Sequence, residues 1–445
     1  MKICLIPIDD RPVCYNLVKD IVSIDDDIEL FLPDRNFLGN LTKTANILKL
    51  FEWLQEIPKC DVIILSLDTL AYGGLIPSRR SNETVENIKS RMCEMKKILE
   101  TKKSKIFAFS SIMRISNNNY NEEEKEYWQD FGKKIFEYSF NIDKFGEAKS
   151  EEIPAEILND YILTRKRNFE INKMYLEWQK EGFFDTLIFS KDDCAEYGLN
   201  VKEARELEAL GGYTKTGADE IPLTLLAHSI NKKIKVYVTY TEPDCKHLIS
   251  NYEDISIEKS VLGQLELGGF EVVDCEEKAD IVLIVNNFRI KQGELVMGWK
   301  TQAFSGSFKL PKKPYAIADV RYANGADNVF VNSILKSINN DFMGYAGWNT
   351  SANTFGSLLA CVKIKFNAKN YNINAFKRFQ IIRFLDDWAY QANIRENIAQ
   401  PCKIEDLMKP YAEKLSEIFD YKINYDVLKY TYPWHRKFEI EVELS

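Results

Sequence analysis

Histidine is scarce in this chain: His228, His247 and His435 are the only three among 445 residues, which excludes a metal centre built on histidine. Cysteine occurs nine times, never as a Cys-x-x-Cys pair, and Cys4, Cys60 and Cys361 lie inside apolar segments. An odd number of scattered thiols suits reduced side chains in a bacterial-type cytoplasm better than a disulfide framework or a zinc site. No apolar run approaches the length of a bilayer span. The opening MKICLIPIDDRP is too briefly apolar, and too soon acidic, for a secretory leader. Basic charge is not in excess either. Lys and Arg total 59 against 67 Asp and Glu, a formal net charge of −8, which argues against a broad nucleic-acid surface. These absences lead us to expect a cytoplasmic protein with neither nucleic acid nor membrane as partner. They leave the oligomeric state open.

What is present is an ordinary globular balance, 45% hydrophobic and 28% charged, with length enough for two or three domains. Short apolar runs alternate with helical stretches. ICLIPI precedes VCYNLVKDIV, IELFLP follows, DVIILSL precedes a helical segment near 82–103, and KIFAFSSI comes next. Continuous apolar runs suit a sheet covered on both faces, and their alternation with helices suits a parallel α/β architecture. From 117 to 184 the strand signal gives way to apolar residues at three- and four-residue spacing, as in IPAEILNDYILTRKRNFEINKMYLEWQKEG. Strands resume at TLIFS, and from 231 onward KIKVYVTYTEP, FEVVDCEEKADIVLIVNNF and PYAIADV repeat the order of the first unit.

The expected division is a first α/β unit over 1–116, a helical insertion over 117–184, a continuation of the first unit over 185–230, a second α/β unit over 231–360, and a mainly helical region over 361–445 with a late strand at KFEIEVEL. The expected fold class is α/β, with mostly parallel sheets in two flavodoxin- or Rossmann-like units. A single (β/α) barrel-like domain is the alternative.

In either architecture parallel crossovers leave ligand loops at the carboxyl ends of strands. That rule collects Asp9, Asp10 and Arg11; Asp68, Tyr72, Gly73, Gly74, Ser78 and Arg79; Ser110, Ser111 and Arg114; Asp192, Asp193 and Tyr197; Asp219 and Glu220; and Asp319, Arg321, Tyr322, Asn324 and Asp327. Clustered carboxyls raise one another's pKa, leaving one protonated to donate and another ionised to accept. An Asp that follows a strand also caps the next helix well, and ANGAD reads equally as a turn. KDDCAEYG is different. One Asp suffices for a cap, and the second adds repulsion without structural return.

GYAGWNTSANTFGSLLA, residues 344–360, crowds Trp348, Asn349 and Asn353 against the start of a helix. It reads either as a ligand-binding helix start or as an elaborate cap over a buried Trp. AYGGLIPSRR has neither the Walker spacing nor Gly-x-Gly-x-x-Gly, so Gly73 and Gly74 read as a tight turn or a close approach to ligand. His228 lies on an apolar helix and reads as structural. Cys14 has no histidine near it in sequence to activate it as a nucleophile.

The segments IPIDDRPVCYN, ILSLDTLAYGGLIPSR, FSSIMR, KDDCAEYGLN, GADE and YAGWNTSANTFG together resemble a bacterial family catalogued as domain of unknown function 4127, from Ile3 to about Asn397. Members commonly carry DERP where this chain has Asp10 in DDRP, which keeps the charge and shortens the reach. The resemblance implies that the strand-end segments form one assembled site, and it brings no activity with it.

The site residues point first to a carbohydrate hydrolase of the glycosidase type. Asp192 and Asp193 would be the acid and its partner, with Asp10, Asp68 and Glu220 as further catalytic carboxyls. Arg11, Tyr72, Gly73, Gly74, Ser78, Arg79, Arg114, Tyr197, Asp219, Asp319, Tyr322, Asn324, Trp348, Asn349 and Asn353 would hold the substrate. Adjacent acids suit substrate-assisted cleavage of an N-acetylhexosaminide, and no cofactor is then required. Two alternatives stand beside it. One is phosphoryl or ester chemistry on Mg²⁺ or Mn²⁺ held by Asp9, Asp68, Asp192 and Asp219; the other is a sugar- or metabolite-binding protein without catalysis.

Overall fold

The computed structural model describes residues 1–306, 309–398 and 403–444. The chain divides into two compact units. One comprises Met1–Tyr15, Glu29–Pro222 and Tyr252–Asp254; the other comprises Asn16–Ile28, Leu223–Asn251 and the chain from Ile255 onward.

The first unit is built on six parallel strands: β1 (Lys2–Ile6), β2 (Glu29–Phe31), β3 (Val62–Ser66), β4 (Lys105–Ile112), β5 (Thr186–Lys191) and β6 (Thr214–Thr216). Their order is β2-β1-β3-β4-β5-β6. The continuous apolar runs have the consequence expected of them, for all five residues of β3 are buried. Every second residue (Cys4 and Ile6, Ile63 and Leu65, Ile106 and Ala108, Leu187 and Phe189) enters one core with the helices Ile47–Glu56 and Val85–Glu100. That is the two-residue period of a pleated strand. The strand order reverses between β1 and β3, and in open α/β sheets the crevice at such a reversal takes ligands. Helices Trp128–Phe145 and Ala155–Lys180 belong to this unit. Trp128, Ile135 and Tyr161 from them form a small satellite core with Met113 and Ile115.

The second unit carries β7 (Lys235–Tyr240), β8 (Glu271–Val272), β9 (Ile281–Asn286), β10 (Gly293–Glu294), β11 (Tyr315–Asp319), β12 (Tyr322–Ala323) and β13 (Phe342–Ala346). Five of them form a parallel sheet in the order β13-β11-β9-β7-β8, and β10 pairs separately with β12. Read from β8, this order repeats that of the first unit: second strand outermost, then first, then third. Both sheets are open, with edge strands, so the chain forms two flavodoxin-like units and the barrel alternative is set aside. Helices Ser351–Asn367, Ile373–Arg383 and Ile404–Phe419 complete the second unit, with a π-helical run over Phe384–Ile394. The late strand expected at KFEIEVEL is β15 (Glu441–Glu443), antiparallel to β14 (Lys429–Thr431). Among the described residues no helix is long and apolar enough to cross a membrane.

Candidate active site

Polar residues follow the strands of the first sheet, and parallel pairing places those strand ends along one edge. Beyond β1, the Arg11 backbone N–H donates to Asp9 Oδ1 at 3.0 Å and its Nε donates to Asp9 Oδ2 at 2.9 Å. Its Nη2 reaches Asp219 Oδ1, beyond β6, at 2.6 Å. Arg11 therefore ties together the ends of two strands. Burial pushes the Asp9 carboxyl up, and Arg11 opposes the rise. Asp10 accepts from Asn40 Nδ2 at 3.4 Å, while its backbone carbonyl accepts from Arg35.

Beyond β3 comes the helix Leu67–Tyr72, capped by Ser66. Asp68, 2% exposed, accepts the Ser111 backbone N–H at 2.7 Å, and burial pushes its carboxyl up to about 7. Gly73 (φ 88°) and Gly74 (φ 135°) close that helix and open the next, Leu75–Arg80, in conformations a side chain would strain. This turn delivers Arg79, itself 2% exposed. Ser78 Oγ donates to the Leu75 carbonyl.

Arg79 and Arg114 stand among carboxylates from two segments, Glu123–Glu124 and Asp192–Asp193. Arg79 Nη1 lies 3.2 Å from Glu124 Oε1 and 3.5 Å from Asp192 Oδ2. Arg114, beyond β4, donates from Nε to Glu124 and from Nη2 to Glu123, both at 2.9 Å, and its Nη1 lies 3.3 Å from Asp193 Oδ2. Burial alone would lower the Arg114 pKa, but these carboxylates more than reverse it and keep the guanidinium charged. Ser110 and Ser111 are buried behind the loop, bonded to Asn172 and Ser190.

Asp192 and Asp193 follow β5 directly, and the Asp193 N–H donates to Asp192 Oδ1 at 3.0 Å. Burial raises both carboxyls. For Asp193 the neighbouring Asp192 adds to the rise, which reaches about 7. For Asp192 the Arg114 and Arg79 guanidiniums oppose it. The side chain of Asp193 is 32% exposed and that of Asp192 14%. Asp192 Oδ2 and the Nε and Nη2 of Arg79 are buried and have no hydrogen-bond partner.

The structure thus gathers Asp9, Arg11, Asp68, Arg79, Arg114, Asp192, Asp193 and Asp219 at one edge of the sheet, with Asp10 and Glu220 in the same loops. Two other expected residues make ring contacts there. The Tyr72 ring lies 5.3 Å from the Arg167 guanidinium, and Tyr197 packs edge-on against Phe140. A cleft of about 650 Å³ is lined by Tyr72, Ile76, Arg80 and Arg91 but by none of the gathered acids. Glu123 and Glu124 went unread in the sequence because NEEEK resembles a solvated helix start; only the length of that acidic run hinted at them.

Asp319, Arg321, Tyr322, Asn324, Asp327, Trp348, Asn349 and Asn353 belong to the second unit. Asp319, fully buried at the end of β11, accepts from Asn286 Nδ2 and from the Asp327 N–H, each at 2.8 Å. Burial, then Asp327, push its carboxyl up to about 7. Arg321 bonds Asn286, Glu242 and the Gln302 carbonyl. Asp327 caps the helix Asn328–Ile334, the role a turn-and-cap reading assigns it. Tyr322 bonds the Thr301 carbonyl and Asn324 bonds Glu294. Trp348 is 2% exposed and packs against Phe438, at the foot of a helix whose cap residue Thr350 makes no side-chain cap bond. Asn349 takes a left-handed conformation (φ 70°), and Asn353 is buried in the following helix. His228 bonds the Leu267 carbonyl at 2.7 Å.

Among the described residues no group of three or more His, Cys, Asp or Glu side chains is arranged to hold a metal ion. Of the acids considered for Mg²⁺ or Mn²⁺, Asp9 and Asp219 grip Arg11, Asp68 takes a backbone N–H, and Asp192 faces Arg79 and Arg114.

Comparison by family places this geometry in context. Residues 3–443 match the family described as "Protein of unknown function (DUF4127)", and the chain belongs to it. No curated protein matches the chain.

Proposed function

We propose that this DUF4127 protein is a hydrolase acting on a carbohydrate, a glycosidase in which Asp193 is the acid and Asp192 its charged partner. The observation that carries the reading is the adjacent pair at the end of β5, whose members sit in unequal surroundings. Asp192 faces two guanidiniums, at 3.5 and 3.7 Å, whereas Asp193 faces one, Arg114 at 3.3 Å, is the more exposed and is pushed up to about 7. A carboxyl poised near neutrality holds a proton to give, and a neighbour set against two guanidiniums can orient a substrate.

In its finest form the reading is substrate-assisted cleavage of an N-acetylhexosaminide. The acetamido oxygen bonds to the anomeric carbon as the glycosidic bond breaks, and the Asp193 proton passes to the leaving oxygen. Asp192 holds the acetamido N–H. Water then opens the cyclic intermediate, returning its proton to Asp193, with net retention. The test is chromophore release from a panel of aryl glycosides by the purified protein. Release from an aryl N-acetylhexosaminide is expected, and its absence across the panel overturns the proposal.

A further inference from the structure

Between Asn251 and Ile255, both in the second unit, three residues belong to the first: Tyr252, Glu253 and Asp254. Their contacts concentrate on the turn that carries the acid pair. Lys191, the last residue of β5, places its Nζ 2.6 Å from Asp254 Oδ2, and both side chains are under a tenth exposed. Asp254 Oδ1 also accepts from Thr216 Oγ1, the last residue of β6, at 3.4 Å. The Tyr252 carbonyl accepts the Cys194 N–H at 2.8 Å, directly after Asp193. Tyr252 makes that bond from a left-handed backbone (φ 65°), a conformation a bulky residue rarely adopts. Asp192 and Asp193 are therefore pinned on both sides, at Lys191 and at Cys194, by one short segment.

We infer that Asp254 is a positioning residue for the Asp192–Asp193 pair. Its carboxylate joins the ends of β5 and β6 through Lys191 and Thr216 and so fixes the turn in which Asp193 meets Arg114 and Asp192. A buried ion pair is weak evidence for net stability, because desolvation offsets most of its attraction; its better-attested use is to specify a single geometry. Placement at the root of the acid turn fits that use. The inference rests on the reading of Asp193 as the reacting acid, but its test does not require turnover.

The test is carboxyl-¹³C NMR titration of aspartate-labelled full-length protein, following Asp193 while Arg79, Arg114, Glu123, Asp192 and Asp219 remain around it. In Asp254→Asn the turn loosens, Asp193 gains water, and its midpoint is expected to fall by about one pH unit, with Asp254→Glu restoring it. The unpaired Lys191 charge would also lower the midpoint, so the double variant Lys191→Met/Asp254→Leu separates the two effects. It removes both charges and, as an apolar replacement of a buried pair, is expected to fold. A lowered midpoint in the double variant supports positioning, whereas a wild-type midpoint there overturns it, whatever happens to the melting temperature. Absence of glycoside hydrolysis by the wild type would sink the functional reading and leave this result standing.

Discussion

Arg79 Nη1 stands 3.5 Å from Asp192 Oδ2 in the buried part of the first unit's acid cluster. The Asp192 oxygen, and two further nitrogens of Arg79, lack any hydrogen-bond partner. A buried polar group left unsatisfied costs about 1–3 kcal/mol, so in the proposed function a substrate oxygen bonded to this pair would recover that cost. Lysine keeps the charge of arginine but loses its planar fork of donors. Arg79→Lys is therefore expected to raise KM for an aryl N-acetylhexosaminide by about tenfold, a loss of binding common to ground and transition states. Steady-state kinetics check this, and an unchanged KM would remove Arg79 from substrate binding.

In the proposed mechanism the proton on Asp193 sets the pH dependence. With its carboxyl pushed up to about 7, the group is protonated below neutrality and ionised above, and a general acid works only while protonated. The profile of kcat/KM is expected to fall on a basic limb near pH 7. Asp193→Asn is expected to lower kcat by about 10²–10⁴-fold with the fold retained by circular dichroism. A profile flat to high pH, or a fully active Asn variant, would end the assignment.

In the same mechanism Arg114 tunes that limb. Its guanidinium, 3.3 Å from Asp193, holds the carboxyl below where burial and Asp192 would otherwise put it. Arg114→Gln is therefore expected to move the basic limb to higher pH. It also leaves Glu123 and Glu124 without their shortest cationic contacts. Breaking a largely buried ion network costs about 3–5 kcal/mol, so a clear fall in melting temperature is expected in thermal denaturation. A limb moving to lower pH would contradict the electrostatics described.

How much of this could be read from the chain alone depended on the range of each signal. The strands ICLIPI, DVIILSL and KIFAFSSI were legible because a strand buried on both faces must be continuously apolar; β3 and β4 lie within the last two runs, and β1 overlaps the first, starting one residue earlier. The acids that follow them were legible for the same local reason. Strand order was not, since nothing in the residues of β2 says that it pairs outside β1 rather than beside β3. Glu123 and Glu124 were hidden because a surface helix start and a buried arginine clamp use the same letters. Lys191 and Asp254 are 63 positions apart, and only the fold makes them neighbours. Trp348 was a sharper case. Its placing between glycines and polar residues allowed both a ligand plate and a core residue, and the ring is buried against Phe438.

Asp68 offers a test of the cluster that depends on stability rather than turnover. Burial pushes its carboxyl up to about 7 in the folded protein, against about 4 in an unfolded chain. Between those values the folded form keeps a proton that the unfolded chain gives up, so folding stability falls as pH rises from about 4 to about 7 and levels off above. Asn cannot ionise, yet its side-chain oxygen can still accept the Ser111 N–H that now bonds Asp68. Asp68→Asn is therefore expected to match the wild type near pH 4 and to exceed it increasingly up to neutrality. The gain should be on the order of a few kcal/mol, given about 1.4 kcal/mol for each pH unit between the two titrations. Melting temperatures of both proteins at pH 4.5 and pH 8 decide the matter. A difference that stays constant or shrinks toward pH 8 would mean that Asp68 is ionised in the fold and that burial at the end of β3 does not hold its proton.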